Sequence, residues 1–175
     1  MNFFKLHGKN IGIDLGTSSI LIVLKDKGII RNEPAIIAIE KKTNNIVAIG
    51  QEAKDMIGKT PEKIEALRPL LHGGIANLNA VEMIIEKIIS ELQETENIGN
   101  PRVLINLHVG MTEVEKRAVL KLVLDTGAKE ICFVEELLAA AIGANMDISS
   151  PEASMVVDLG CGTTEIAIIA LGKYC

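Results

Sequence analysis

Two short stretches constrain this chain more than any other feature: "GIDLGTSS" at residues 12–19 and "VVDLGCGTTE" at residues 156–165. Each sets an aspartate, Asp14 or Asp158, at the end of an apolar run, follows it with glycine and then supplies hydroxyl side chains; the two aspartates are 144 positions apart. A carboxylate at a strand end beside glycine suits a metal-bound phosphate, because the bare glycine backbone lets N–H groups approach oxygen closely while Ser and Thr add donors. Magnesium fits such a place, since it keeps much of its water shell and needs only one or two carboxylates besides phosphate oxygens. Either turn alone would do no more than reverse a hairpin, as Asp-x-Gly often does. As a pair, both flanked by apolar strands, they point to one ligand gripped from two sides.

The periodicity of the remaining chain supplies the frame. Residues 11–14 and 20–25 read as strands joined by the first turn, 29–31 as a third strand, and 34–50 as a hairpin turning at Asn44-Asn45. A short helix over 51–57 stops at Gly58. Val81, Ile84, Ile85, Ile88, Ile89 and Leu92 fall on one face of a longer helix, which Asn79 caps with Glu82 three residues on. "RVLINL" and "EICFV" read as strands, residues 113–126 as a helix stopped by Gly127, 135–144 as an alanine-rich helix and 155–171 as a last hairpin. A meander followed by alternating strands and helices gives an α/β fold, a mixed sheet with flanking helices.

Composition narrows the partners. The chain has no Trp, one Tyr and three Phe, so its core is aliphatic and it lacks stacking platforms for single-stranded nucleic acid. With a net charge of -5 and four arginines, at 31, 68, 102 and 117, no basic face is available for a phosphate backbone, and nucleic acid is set aside. Cys132, Cys161 and Cys175 form no C-x-x-C pair and have no accompanying His, which argues against a disulfide framework or a zinc site and for a reducing cytoplasm. No apolar run reaches the roughly 18–20 residues needed to span a bilayer. The start, "MNFFKLHGKN", lacks the apolar stretch of a signal peptide. Phe3, Phe4 and Leu6 beside Lys5 and Lys9 could make a short interfacial anchor, or simply a frayed terminus.

The paired turns, the stretch "NEPAIIAIEKKTNNIVAIGQEAKDMIGKTPEKIEALRPL" over residues 32–70, "TEVEKRAVL", "EELLAAAIGA" and "MVVDLGCGTTEIAIIALG" together resemble the MreB family of bacterial actins, within the wider superfamily of actin and heat-shock-chaperone ATPases. The turns carry the superfamily; the 32–70 stretch singles out the family. The resemblance implies an actin-like, ribonuclease H-like lobe over residues 1–152, with about 31–70 as its small subdomain, and a truncated second lobe of which 153–175 is the first hairpin. It further implies ATP with Mg2+, head-to-tail self-association into filaments, and a cytoplasmic location peripheral to the inner membrane, beside cell-wall synthesis proteins. Carried over by position, Gly16, Thr17, Ser18 and Ser19 form the first phosphate loop, and Gly160, Cys161, Gly162, Thr163 and Thr164 the second. Asp14 and Asp158 face the metal. Glu115 falls where the family has the glutamate that positions the attacking water. The residues themselves also read as a capping box, Thr112 followed three residues later by Glu115, and the two roles are compatible.

Some positions depart from the family pattern. Cys161 replaces a glycine, where a Cβ would restrict positive φ and close contact. Ser18-Ser19 stand for Ala-Asn, Leu137 for Pro, Asn77 for Asp, and "NLHVG" at 106–110 for a strand end of the form Val-Pro-x-Gly. Because the chain stops after the second lobe's first hairpin, binding is expected more firmly than hydrolysis. A non-catalytic interaction module is the alternative, and a chaperone-type ATPase fragment a second one, disfavoured by residues 32–70. His72 and His108 read as ordinary loop residues without a partner at ligand spacing, Asp125 as a solvated helix charge and Glu136 as a strand-end acid.

Overall fold

The computed structural model describes residues 9–108 and 110–175, so the proposed anchor residues Phe3, Phe4, Lys5 and Leu6 lie outside the described part. Strands β1 (Asn10–Leu15), β2 (Ser19–Leu24) and β3 (Gly28–Pro34) form the antiparallel meander. The next two strands to join them, β9 (Arg102–Leu107) and β10 (Glu130–Glu135), add in parallel on the β1 side, giving a five-stranded sheet of order β10-β9-β1-β2-β3. Alternation along these strands sends Ile11, Ile13, Ile20, Ile22, Leu24, Val103 and Ile105 to one buried face. Helix α2 (Leu78–Glu96) packs there with Ala80, Val81, Ile84, Ile85, Ile88, Ile89 and Leu92, and α3 (Glu113–Asp125) with Val119, Leu122 and Val123. Each fully buried isoleucine contributes about 1.5–3 kcal/mol relative to an exposed one, so an almost purely aliphatic interior suffices.

The cap of α2 differs from the sequence reading. Asn77, not Asn79, has the extended backbone of a cap, and its side chain accepts from the N–H of Ala80 at 3.0 Å. Asn79 sits one residue inside the helix, where its own N–H is among those needing a partner. Asn77 thus has the capping capacity that an aspartate would have at this position.

Between β3 and α2 the chain builds a second, smaller layer. Strands β4 (Ile37–Glu40), β5 (Ile46–Ile49) and β6 (Ile64–Leu67) form a three-stranded sheet of order β5-β4-β6, backed by helix α1 (Gln51–Met56). Its own small core consists of Ile36, Ala38, Ala48 and Ala53. Strand β6 and the tight pair β7 (Leu70–Leu71) and β8 (Gly74–Ile75) were not legible from periodicity, because two to four residues are too few to show it.

Helix α4 (Glu136–Gly143) follows β10 directly. Against it lies a separate antiparallel sheet of β11 (Ser154–Leu159), β12 (Thr164–Ala170) and the short β13 (Lys173–Tyr174), so the expected last hairpin gains a third strand. Leu137, Ala141 and Ile169 are buried in this corner. The outward face of the same hairpin is apolar: Met155, Val157, Leu159, Ile166 and Ile168 are 40–77% exposed.

Candidate functional site

The two aspartate turns have the same local construction. In the first, the N–H of Gly16 donates to the carbonyl of Ser19 at 3.0 Å; in the second, the N–H of Gly160 donates to the carbonyl of Thr163 at 2.9 Å. The register repeats as well, with Asp14 opposite Leu21 and Asp158 opposite Glu165. The turns meet in space. A Cβ built on Gly162 would lie 2.7 Å from Cγ2 and 3.0 Å from Oγ1 of Thr17, so only a glycine lets the second turn seat against the first. Cys161 beside it is exposed and lies outside the left-handed region, so the side chain that replaces a glycine here brings no backbone strain.

A third segment closes on the first turn. The N–H of Gly73 donates to Oγ1 of Thr17 at 3.4 Å, and Nη1 of Arg68 donates to the Thr17 carbonyl at 3.3 Å. Thr17 and Thr163 line a small cavity of about 40 Å³ together with Asn106, His108 and Glu136. Ser18, Ser19 and Arg68 border an adjoining polar hollow with Lys54. Thr164 is exposed at the start of β12.

Asn106 orients the first aspartate. Its Nδ2 donates to Oδ1 of Asp14 at 2.8 Å while its Oδ1 accepts from the N–H of Leu15 at 3.3 Å. Burial raises the Asp14 pKa above the ordinary aspartate value; the Asn106 hydrogen bond offsets part of this, and the charge of Asp158 adds to it. Glu136 is more strongly perturbed, pushed up to about 7 by burial first and then by the charges of Glu165, Asp14 and Asp158. It is more than a strand-end acid, because it opens α4 and faces the other carboxylates.

His108 corrects its sequence reading. Far from lacking a partner, its Nδ1 stands 2.5 Å from Oε1 of Glu165 and 3.9 Å from Oε2 of Glu136. The parallel pairing of β1, β9 and β10 brings this about, since the carboxyl ends of all three strands lie on one edge, where ligands of open α/β sheets gather. A polar residue at or just after each of these strand ends was the signal available in the sequence. His72 remains a loop residue and Asp125 an exposed helix end.

Glu115 completes the capping box. Its carboxylate accepts from the N–H of Thr112 at 2.8 Å, from the Thr112 hydroxyl at 2.6 Å and from the N–H of Ile75 at 3.3 Å. The Thr112 hydrogen bonds hold its pKa below the usual glutamate value.

Residues 8–175 match the sequence model of the MreB/Mbl protein family. The chain is 41% identical over 167 residues to the cell shape-determining protein Mbl of Bacillus cereus, covering 95% of this chain and 50% of that protein. It is 40% identical over 174 residues to the cell shape-determining protein MreB of Escherichia coli K12, again 97% of this chain against 50% of the relative. Among solved structures, MreB5 of Spiroplasma citri bound to ADP superposes with a TM-score of 0.87 at 35% identity, covering 95% of this chain and 50% of that one. The AMPPNP-bound form of the same protein gives 0.86. The MamK double helical filament shares the fold, with a TM-score of 0.74 at 18% identity. The chain thus spans about half the length of the relatives it matches, and its mixed α/β architecture is that of the actin-like ATPases. With nearly the whole sequence matched, and with the paired turns built alike, this chain belongs to the MreB/Mbl family of cell shape-determining proteins.

Proposed function

We propose that this chain binds ATP with magnesium between its two aspartate turns, as part of a cytoskeletal protein that determines cell shape. The observation that carries the reading is the contact of Gly162 with Thr17, which sets two phosphate-type loops face to face. The capture of ADP and AMPPNP by MreB5 supports it. Magnesium fits the residues present, since Asp14 and Asp158 offer hard oxygen donors whose mutual repulsion a cation relieves. When bound, the ion would neutralise charge on the phosphates. Asn106 keeps the Asp14 carboxylate in one orientation, and the backbone N–H groups and hydroxyls of Thr17, Ser18, Ser19, Thr163 and Thr164 are the donors that would hold phosphate oxygens.

For the acid that orients an attacking water, we assign Glu136 in preference to Glu115. Positioning a water needs an acceptor near the terminal phosphate; Glu136 faces both metal-side aspartates, whereas the Glu115 carboxylate is occupied by the Thr112 cap. Family membership extends the reading to residues 1–152 as a first lobe and 153–175 as the start of a second. It likewise extends to filaments on the inner-membrane surface beside cell-wall synthesis proteins. No helix of the described residues is long and apolar enough to cross a membrane.

Calorimetric titration of ATP, with and without MgCl2, into the protein and its Asp14→Ala variant tests the reading. Magnesium-dependent binding that the substitution abolishes is expected. Equal affinity in the two proteins would remove the phosphate-clamp assignment.

A further inference from the structure

We propose that His108, Glu136 and Glu165 form a second cation site, for a divalent transition ion of the zinc class, separate from the magnesium position at the aspartate turns. The three residues come from different elements: His108 follows β9, Glu136 opens α4 and Glu165 lies on β12 opposite Asp158. One ligand atom from each lies within 4.8 Å of the other two. Zinc bonds of roughly 2.0–2.2 Å to nitrogen and oxygen set neighbouring tetrahedral ligands about 3.4 Å apart. From the present 2.5 Å and 3.9 Å separations, the ion enters by parting His108 from Glu165 and drawing Glu136 inward.

Three features favour a transition ion. Imidazole with carboxylate suits zinc, nickel or cobalt, whereas magnesium selects oxygen donors. The ring of His108 is held in place, because Gly73 packs so closely on it that a Cβ there would come within 2.5–2.9 Å of three ring atoms. The charges of Asp14 and Asp158 act on Glu136, and a negative field of this kind favours a divalent cation beside it. Glu165 is 8% exposed, and His108 and Glu136 are 22% and 28% exposed, so the cluster is largely shielded from bulk water. An ion bound here ties the β11–β13 sheet to the five-stranded sheet and withdraws Glu136 from the phosphate side.

The test uses the full chain, stripped with chelator, free of nucleotide and in excess MgCl2. CoCl2 is titrated in while the visible absorption of the bound ion is followed, and ZnCl2 then displaces it. One equivalent is expected, with His108→Gln and Glu136→Gln each weakening uptake by more than the roughly 10- to 100-fold typical of losing an outer-shell partner. Circular dichroism checks that each variant is folded; if His108→Gln is not, Glu136→Gln decides. Absence of uptake by the unaltered protein, uptake that survives the Glu136 substitution, or uptake removed by alkylating Cys132, Cys161 and Cys175 would each overturn the proposal.

Discussion

Replacing Glu136 with glutamine is expected to stabilise the nucleotide-free protein at pH 8 and to leave its stability near pH 4 unchanged. Burial and the charges of Glu165, Asp14 and Asp158 raise the Glu136 pKa from 4.5 to about 7. A group whose pKa is higher in the folded than in the unfolded state contributes stability that is complete below the unfolded value and is lost as pH rises through the folded one. The loss therefore runs between 4.5 and about 7. That displacement corresponds to at most about 3 kcal/mol. Because the side chain keeps 28% exposure, solvent screening reduces the expected figure to roughly 1–2 kcal/mol. Glutamine keeps the shape and removes the charge, so the variant should gain that amount at pH 8 and nothing below pH 4.5, where the glutamate is already neutral. Urea unfolding followed by circular dichroism in EDTA, at several pH values between these limits, measures the difference. Midpoints that diverge with rising pH, at unchanged slope, are expected. Curves for the two proteins that run parallel across the range would refute the idea that these carboxylates share one low-dielectric space.

Three further outcomes are expected. Glu115→Ala removes the acceptor of the α3 capping box and should lower stability by about 1 kcal/mol, while leaving Mg-ATP affinity in calorimetry within about twofold; a large loss of affinity would return Glu115 to the phosphate site. ATP turnover by the unaltered chain should fall in Glu136→Gln and persist in Glu115→Gln, since the acceptor that positions the attacking water carries phosphoryl transfer; turnover that survives Glu136→Gln but not Glu115→Gln would reverse the assignment of the water-positioning acid. Sedimentation velocity should show self-association that Val157→Lys with Ile166→Lys suppresses, because these side chains lie opposite one another on the exposed apolar face of the hairpin; a monomeric unaltered chain would show that this face is tolerated in water.

The elements of the main sheet and helices follow from local pattern. Alternation in "NIGIDL" and "SILIVL" and the 3.6-residue spacing of Val81 through Leu92 each leave one way to bury an apolar face, and the structure takes it. The aspartate turns and the Thr112–Glu115 box were legible for the same reason, since their hydrogen bonds join residues three apart. What the sequence by itself left open was everything set by pairing between distant strands. Asn106 reaches Asp14 across 92 positions, and His108 meets Glu165 and Glu136, only because β9 lies parallel between β1 and β10 and α4 carries the terminal sheet back over the strand ends. Local periodicity fixes which face of a strand is buried; it does not fix which strands become neighbours. That choice is decided by the packing of the whole core, and with it which polar residues at the strand ends share one space and perturb one another's charge.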